Sequence, residues 1–145
     1  MQPHERVLEI GAGSGHMAAL LAARAMEVWS VEIDPVIAAI ARVNLGRAGI
    51  ENAHVEVGDG LAGLAAHAPY DVIVVSGGVN EIPAILVDQL AVGGRLIAFL
   101  ALPGQAPTMA LRCLRRINAN AVASEDVLET IVPLLQQAPV KKFVF

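Results

Sequence analysis

One feature constrains the fold of this chain more than any other: the run Val7-Leu8-Glu9-Ile10-Gly11-Ala12-Gly13-Ser14-Gly15-His16. A mostly apolar stretch leads directly into three glycines spaced two residues apart. Glycine has no Cβ, so it suits a sharp turn that brings backbone N–H groups close to a ligand. Alanines and leucines follow, and these are good helix formers. The run therefore predicts a buried strand, a glycine-rich turn and a helix whose N-terminus favours an anionic or polar group.

The turn by itself allows two kinds of ligand. The segment Gly13-Ser14-Gly15-His16-Met17-Ala18 fits the alanine-ending form of the dinucleotide fingerprint, so a nicotinamide cofactor is not excluded. Glu9 favours a different ligand, because its carboxylate would repel a pyrophosphate and would stabilise the sulfonium and ammonium groups of S-adenosylmethionine. An exposed strand position is the other interpretation of Glu9, but parallel strands are usually covered on both faces. We therefore assign Glu9 to the binding of S-adenosylmethionine.

The second predicted strand also ends in an acid, in the run Val28-Trp29-Ser30-Val31-Glu32-Ile33-Asp34-Pro35. Glu32 lies near the spacing of about 20 residues at which such folds place a carboxylate on ribose hydroxyls. Two neighbouring hydroxyls can both donate to one carboxylate. Asp34, with Pro35 behind it, is the better helix cap. Glu32 is therefore predicted to bind the ligand and Asp34 to cap the next helix.

The third predicted strand ends in Gly58-Asp59-Gly60. Asp59 could accept a hydrogen bond from an adenine amino group at the carboxyl edge of the sheet, where open α/β sheets bind ligands. Gly-Asp-Gly is also ordinary turn chemistry, and alone it would be interpreted as a turn. Because the two preceding strand ends carry suitable groups, we assign Asp59 to the adenine.

The composition fits a single α/β domain. The chain has 145 residues, 55% of them hydrophobic, and a formal net charge of −4 at pH 7. No apolar run reaches the ~18 residues of a membrane span, so the apolar excess indicates strands buried on both faces. The negative charge argues against a nucleic-acid partner. The single cysteine, Cys113, excludes an intrachain disulfide, and a cytoplasmic location is expected. No cluster has metal-ligand spacing.

Strands and helices are predicted to alternate, which implies right-handed crossovers and a doubly wound, mostly parallel Rossmann-like sheet. The predicted strands cover residues 6–10, 27–32, 54–57, 71–76 and 95–100. The predicted helices cover residues 15–25, 35–48 and 82–90, the last ended by Gly93-Gly94. Residues 109–117 and 127–135 are predicted to form an antiparallel pair of strands at one edge.

Several motifs together resemble one family. The glycine turn, Glu32 and Asp59 match the class I methyltransferases, which use S-adenosylmethionine. More specific are the runs Gly58-Asp59-Gly60, Ala68-Pro69-Tyr70-Asp71, Glu81-Ile82-Pro83, Gln89-Leu90, Gly93-Gly94-Arg95-Leu96 and Val132-Pro133-Leu134. From Arg6 onward the chain resembles the protein-L-isoaspartate O-methyltransferase family.

The resemblance implies a reaction and a cofactor site. In this family, the free carboxylate of an isoaspartyl residue in a damaged protein takes a methyl group from S-adenosylmethionine. A carboxylate is already ionised at neutral pH, so no strong general base is needed, and no catalytic residue is assigned. The cofactor would be held by Gly11, Gly13, Ser14 and Gly15 at its methionine part, by Glu32 at its ribose, and by Ile33, Asp59 and Gly60 around its adenine.

The chain also departs from the family's pattern. Members usually carry a helical segment before the first strand, with a hydroxyl residue near the reacting methyl, whereas this chain starts at Met1-Gln2-Pro3-His4. We therefore expect a single domain over residues 1–145 without that segment, an uncovered apolar face and self-association. Ser76-Gly77-Gly78 replaces a Thr-Ala-Ala-type run, and His16 replaces an aromatic residue. A paralogue that binds the cofactor without methyl transfer, or with another acceptor, is the alternative.

The remaining prominent side chains are predicted to be structural. Trp29 is expected in the core, and Cys113 is expected to be inert among apolar neighbours. His16 is expected either to touch the cofactor or to face solvent. The tail at residues 141–145 is predicted to add an apolar anchor. Exposed positions are predicted for the other basic side chains: His4, His54, His67, Arg112, Arg115 and Arg116.

Overall fold

The computed structural model describes residues 1–137, which contain a seven-stranded sheet. The strands are β1 (Arg6–Ile10), β2 (Glu27–Glu32), β3 (Ala53–Val57), β4 (Tyr70–Val79), β5 (Leu90–Ala101), β6 (Met109–Asn118) and β7 (Ala121–Thr130). The helices are α1 (His16–Ala22), α2 (Pro35–Arg47) and α3 (Ala84–Asp88), with short 3-10 turns at Gly60–Ala62 and Ala65–His67. The longest of these helices has 13 residues, and none within residues 1–137 could cross a bilayer.

The strand order places a ligand-binding position beside β1. The order is β3-β2-β1-β4-β5-β6-β7; β1 to β5 are parallel to one another, β6 is antiparallel to β5, and β7 is antiparallel to β6. The chain runs from β1 outward to β3 on one side and returns to the other side with β4. Open α/β sheets bind ligands at such a switch point, outside the carboxyl ends of the strands. The predicted fold class is confirmed, including the antiparallel edge pair.

The two faces of the sheet are covered by different elements. On one face, α1 packs Leu21 and neighbouring alanines against Val7, Val28 and Val72. The opposite face carries the larger apolar cluster, covered by Leu86 of α3 and by the 3-10 turns. Trp29 lies in that cluster and is 6% exposed, which confirms its predicted core position.

One part of the helix-covered face is less well buried. Helices α1 and α2 contact mainly β2 and β3. Farther along this face, the apolar side chains of Val74, Ile97, Phe99 and Leu111 are only half-buried. These four residues line one shared cavity and form the apolar patch.

Two helix predictions are too long. Helix α1 ends at Ala22, and α3 spans only Ala84–Asp88. Gly93 and Gly94 lie inside β5, where the register with β4 shifts. Gly93 has a φ of +84°, and a Cβ on Gly94 would lie 2.8 Å from the carbonyl oxygen of Ala91. The two glycines therefore form an irregularity within a strand instead of ending a helix.

The predicted bounds of the last strand, residues 127–135, are wrong, although residues 127–130 do lie in β7. Strand β7 begins at Ala121, directly after a turn in which the backbone N–H of Asn120 donates to Oδ1 of Asn118 (2.9 Å). The polar run Ser124-Glu125-Asp126 lies within β7. It is compatible with a strand because β7 is an edge strand exposed at every position but its last.

Some basic side chains are more buried than predicted. The imidazole of His67 is half-buried and stacks on the Trp29 indole, with ring centroids 4.7 Å apart. Arg116 is half-buried and donates to the carbonyl oxygens of Asp88 (2.8 Å) and Leu90 (2.6 Å), at the end of α3. The predicted anchor at residues 141–145 lies outside the described residues.

Candidate functional site

The glycine turn after β1 has the predicted strand–turn–helix form. Gly11, Gly13 and Gly15 all have positive φ, at +88°, +52° and +84°. Side chains with a Cβ rarely adopt this region, so the turn depends on glycine. The Gly11 N–H donates to the carbonyl oxygen of Val31 (2.8 Å) and thereby ties the turn to β2. A Cβ on Gly15 would lie 3.2 Å from the carbonyl oxygen of Ala41, because α1 and α2 meet there.

Glu32 lies at the carboxyl end of β2 and is held by backbone. Its Oε2 accepts from the Gly13 N–H (2.9 Å), and its Oε1 accepts from the Asp34 N–H (3.1 Å). The residue is only 7% exposed. Asp34 caps α2 by accepting from Val36 N–H, and Pro35 occupies the first turn, as predicted. The carboxylate of Glu32 is thus fixed in position, with further lone pairs left to accept from a ligand.

A cavity of about 520 Å³, the first cavity, lies beside the glycine turn at the carboxyl edge of the sheet. Its wall includes the apolar side chains of Ile37 and Leu61. Six predicted site residues line it: Gly11, Gly13, Glu32, Ile33, Asp59 and Gly60.

Asp59 caps a turn and also lines the first cavity. Its Oδ1 accepts from the Leu61 N–H (3.0 Å) and so caps the short turn after β3. Asp59 is nonetheless exposed and lines the first cavity. A Cβ on the neighbouring Gly60 would lie 2.6 Å from Cγ2 of Ile10, so this turn packs directly on the end of β1.

Residues 132–136 also line the first cavity, and sequence reasoning missed them because it placed them in a strand. The Gly78 N–H donates to the carbonyl oxygen of Pro133 (2.8 Å), and the Leu135 N–H donates to the carbonyl oxygen of Gly78 (2.9 Å). A Cβ on Gly11 would lie 2.7 Å from Cδ2 of Leu135, and one on Gly77 would lie 2.8 Å from it. The small residues after β4 could have indicated that another segment packs there.

A second cavity, of about 470 Å³, adjoins the first through Gly11, Gly13 and Ser76. It lies on the face of the sheet that carries the apolar patch. Ser14 and His16 are exposed and line it. Gly15 lines neither cavity, so its part in the site is to shape the turn.

Glu9 lies beneath the junction of the two cavities and is 0% exposed. The Ser30 hydroxyl donates to its Oε2, and the Ser76 hydroxyl donates to its Oε1 (2.9 Å). Burial raises the pKa of Glu9 to about 7, while the bonds from the two serines lower it and the nearby Glu32 charge raises it. Glu9 thus has the predicted location near the turn, but its carboxylate has no surface of its own in the cavity.

The two cavities are acidic. The carboxylates of Glu32 and Asp59 line them and that of Glu9 lies buried beneath, whereas no lysine or arginine among the described residues lines either cavity. An anionic group such as a pyrophosphate would be repelled here, whereas a cation or a polyol would be favoured.

Comparison with known proteins places this geometry in a family. A sequence profile of protein-L-isoaspartate(D-aspartate) O-methyltransferase matches residues 1–138. The chain belongs to this family. A protein-L-isoaspartate O-methyltransferase of Methanoculleus marisnigri is 56% identical over 98 residues, which cover 68% of this chain and 44% of that protein. Protein-L-isoaspartate O-methyltransferase 2 of Marinobacter nauticus is 45% identical over 136 residues, or 93% of this chain and 61% of that protein.

Solved structures agree with the family assignment. One protein-L-isoaspartate O-methyltransferase superposes with a TM-score of 0.84 at 34% identity, covering 93% of this chain and 43% of that one. A second, from Plasmodium falciparum and in complex with S-adenosyl-L-homocysteine, has a TM-score of 0.74 at 21% identity and shows the shared fold. It covers 94% of this chain and 68% of that one.

The matched part of this member of the isoaspartate methyltransferase family spans 44% and 61% of the lengths of the two curated relatives. Its matched region contains the glycine turn, the three acids and the strip at residues 132–136. All the cavity-lining groups described above therefore lie within the part that the family shares.

Proposed function

We propose that the first cavity and its junction with the second bind S-adenosylmethionine. Glu32 would accept from the two ribose hydroxyls, because its carboxylate is oriented by two backbone bonds and keeps free lone pairs. Ile33 and Gly60 would border the adenine, and Asp59 would accept from its amino group. Gly11, Gly13 and Ser14 would hold the methionine part, with the negative charge of Glu9 beneath them, and Gly15 would shape the turn that presents them.

A nicotinamide dinucleotide suits this site less well. Its pyrophosphate needs free backbone N–H groups or cations. The Gly13 N–H already donates to Glu32, and the charged groups that line the cavities are acids. The same features accommodate the cationic cofactor.

We propose that the reaction is transfer of a methyl group to the free carboxylate of isoaspartyl residues in damaged proteins. The match of residues 1–138 to the protein-L-isoaspartate O-methyltransferase profile carries this proposal. When bound, the cofactor supplies a methyl group on a positively charged sulfur. An acceptor carboxylate is ionised at neutral pH, so the residues of this chain need to position the reactants and exclude water, and not to remove a proton.

The geometry suggests how the chain would do this. Glu32 and the glycine turn would fix the nucleoside and methionine ends of the cofactor. The strip at residues 132–136 walls the first cavity. Apolar side chains of the second cavity, Ile97, Phe99 and Leu111 among them, would keep water away from the reacting atoms.

We further propose that the protein acts in the cytoplasm and that it self-associates. The single cysteine, Cys113, suits a reducing compartment.

Self-association would use the apolar patch. Its half-buried side chains supply an apolar surface that a second copy could cover: Val74, Ile97, Phe99 and Leu111.

Two measurements test the proposed function. In calorimetric titrations, S-adenosylhomocysteine should bind and NADH should not. Methyl transfer should occur to a peptide that contains isoaspartate, and not to the same peptide with ordinary aspartate. Binding without transfer would reduce the proposal to cofactor binding alone. Binding of NADH without S-adenosylhomocysteine would overturn it.

A further inference from the structure

Glu9 is held by hydroxyls from two different strands. In the register of β1 and β2, Ser30 lies opposite Glu9. In the register of β1 and β4, Val74 lies opposite Glu9, and Ser76 stands two residues after Val74. One hydroxyl donates to each carboxylate oxygen. Glu9 and Ser30 are both 0% exposed. The carboxylate is therefore fixed in place, and water does not replace its partners.

The surroundings of Glu9 bring the pKa of its carboxyl group close to neutral pH. Burial raises the pKa to about 7, the two serine bonds lower it, and the charge of Glu32 at the end of β2 raises it. The other titratable group at the second cavity is His16, at the start of α1. No lysine or arginine of the described chain lines either cavity. Apart from His16, a ligand is thus the component that can bring positive charge to this point.

We propose that Glu9 is a proton-linked counter-charge for the ligand, and that Ser30 and Ser76 are positioning residues that hold its carboxylate form in place. Binding of a cation breaks the O–H bond of protonated Glu9, and the proton passes to the solvent. The inference rests on the proposed function, because S-adenosylmethionine carries an ammonium and a sulfonium group. Since Glu9 has no exposed surface, it acts on these groups through its electric field.

Calorimetry on the whole chain, without any methyl acceptor, tests whether ligand binding is coupled to the loss of a proton from Glu9. S-adenosylmethionine is titrated at pH 7 in two buffers of different ionisation enthalpy, and roughly half a proton per bound ligand should be released. Its affinity should be about fivefold weaker at pH 6 than at pH 7, a range in which its own ammonium group stays largely charged. The control ligand, 5′-methylthioadenosine, has the nucleoside without either charged group. It should bind equally at both pH values.

Variants identify the source of the proton. Glu9→Gln should abolish both the proton release and the difference in affinity between pH 6 and pH 7. Ser30→Ala removes a donor that favours the ionised form, so the pH at which affinity falls should move upward. Ser30 lines neither cavity, which separates this effect from lost ligand contact. Ser124→Ala, on exposed β7, is the matched control and should leave the profile unchanged.

Each outcome has a defined meaning. Equal affinity at pH 6 and pH 7 with no proton exchange overturns the linkage while leaving the proposed cofactor in place. Proton release that persists in Glu9→Gln also overturns it, because the proton would then come from elsewhere. An equal loss of affinity at every pH in Ser30→Ala would show a merely structural role for that serine. If neither S-adenosylmethionine nor 5′-methylthioadenosine binds, the proposed function itself has failed.

Discussion

Glu32 shows at the scale of a single residue how the backbone prepares a side chain for a ligand. Two N–H groups, from Gly13 and Asp34, each bond one of its carboxylate oxygens. The sequence predicted the acid at this strand end from its spacing to the glycine turn. It did not predict that the turn itself would donate to the acid, because that bond depends on how β1 and β2 lie side by side.

Replacing Glu32 with alanine should weaken binding of S-adenosylhomocysteine by about 1.5–3 kcal/mol, the range for hydrogen bonds to a charged group. Calorimetric titration measures the difference. Glu51→Ala, at an exposed position after α2, is the control and should bind as the wild type does. Unchanged affinity in the Glu32 variant would remove this residue from the site.

Among the elements, those whose sequences are locally distinctive were predicted best. Strands β1 and β2 and helix α2 have continuous apolar runs or a clear N-cap, and their starts were predicted correctly. Strand β7 has neither, since it is exposed along its length and follows a turn fixed by Asn118. The glycines of β5 were mistaken for a helix end, because a bulge and a cap use the same residue type.

Glycine is expected to lower the stability of the fold within α2 and to raise it in the turn before α1. A pair of variants can measure these two opposite effects. Gly46→Ala should stabilise the protein by about 0.5–1 kcal/mol, because Gly46 is an exposed position of α2 where a Cβ meets nothing within 4 Å. Gly15→Ala should destabilise it by roughly 1–3 kcal/mol, because φ is +84° there. Urea unfolding of both variants at pH 7 gives the two values. A Gly15 variant as stable as the wild type would contradict the turn geometry.

At the scale of the whole molecule, an ion pair joins the chain before β1 to β5. The guanidinium of Arg95 donates to Oε1 of Glu5 at 2.7 Å and to its Oε2 at 3.1 Å. The bond from Arg95 lowers the pKa of Glu5 to about 2. Because the folded-state pKa lies below the ordinary value of 4.5, the pair stabilises the fold above that pH, and the contribution is lost as the pH falls toward 2.

Glu5→Gln should therefore lower the free energy of unfolding by about 1–3 kcal/mol at pH 7. The difference from the wild type should shrink steadily between pH 5 and pH 2.5. Urea unfolding across this range provides the measurement. A difference that stays constant with pH would mean that the charge of Glu5 does not contribute.

The apolar patch also acts at the scale of the molecule. Sedimentation of the wild type should show an average mass that rises with concentration. Phe99→Glu should restore the monomer, because it places a charge within the patch. Val92→Glu is the matched control, since Val92 is an exposed apolar residue of β5 outside the patch. A wild type that remains monomeric at high concentration would contradict self-association.

The sequence by itself determined the local features of this protein. The strand, glycine turn and helix at the start, the acids at three strand ends and the alternation of strands and helices all follow from residues close together in the chain. The tertiary structure decided the rest. Ser30 and Ser76 lie 21 and 67 residues from Glu9 and meet it because β2 and β4 flank β1 in a particular register. Leu135 reaches Gly11 across the sheet edge for the same kind of reason. Such contacts depend on which strands become neighbours, and no local pattern of residues specifies that.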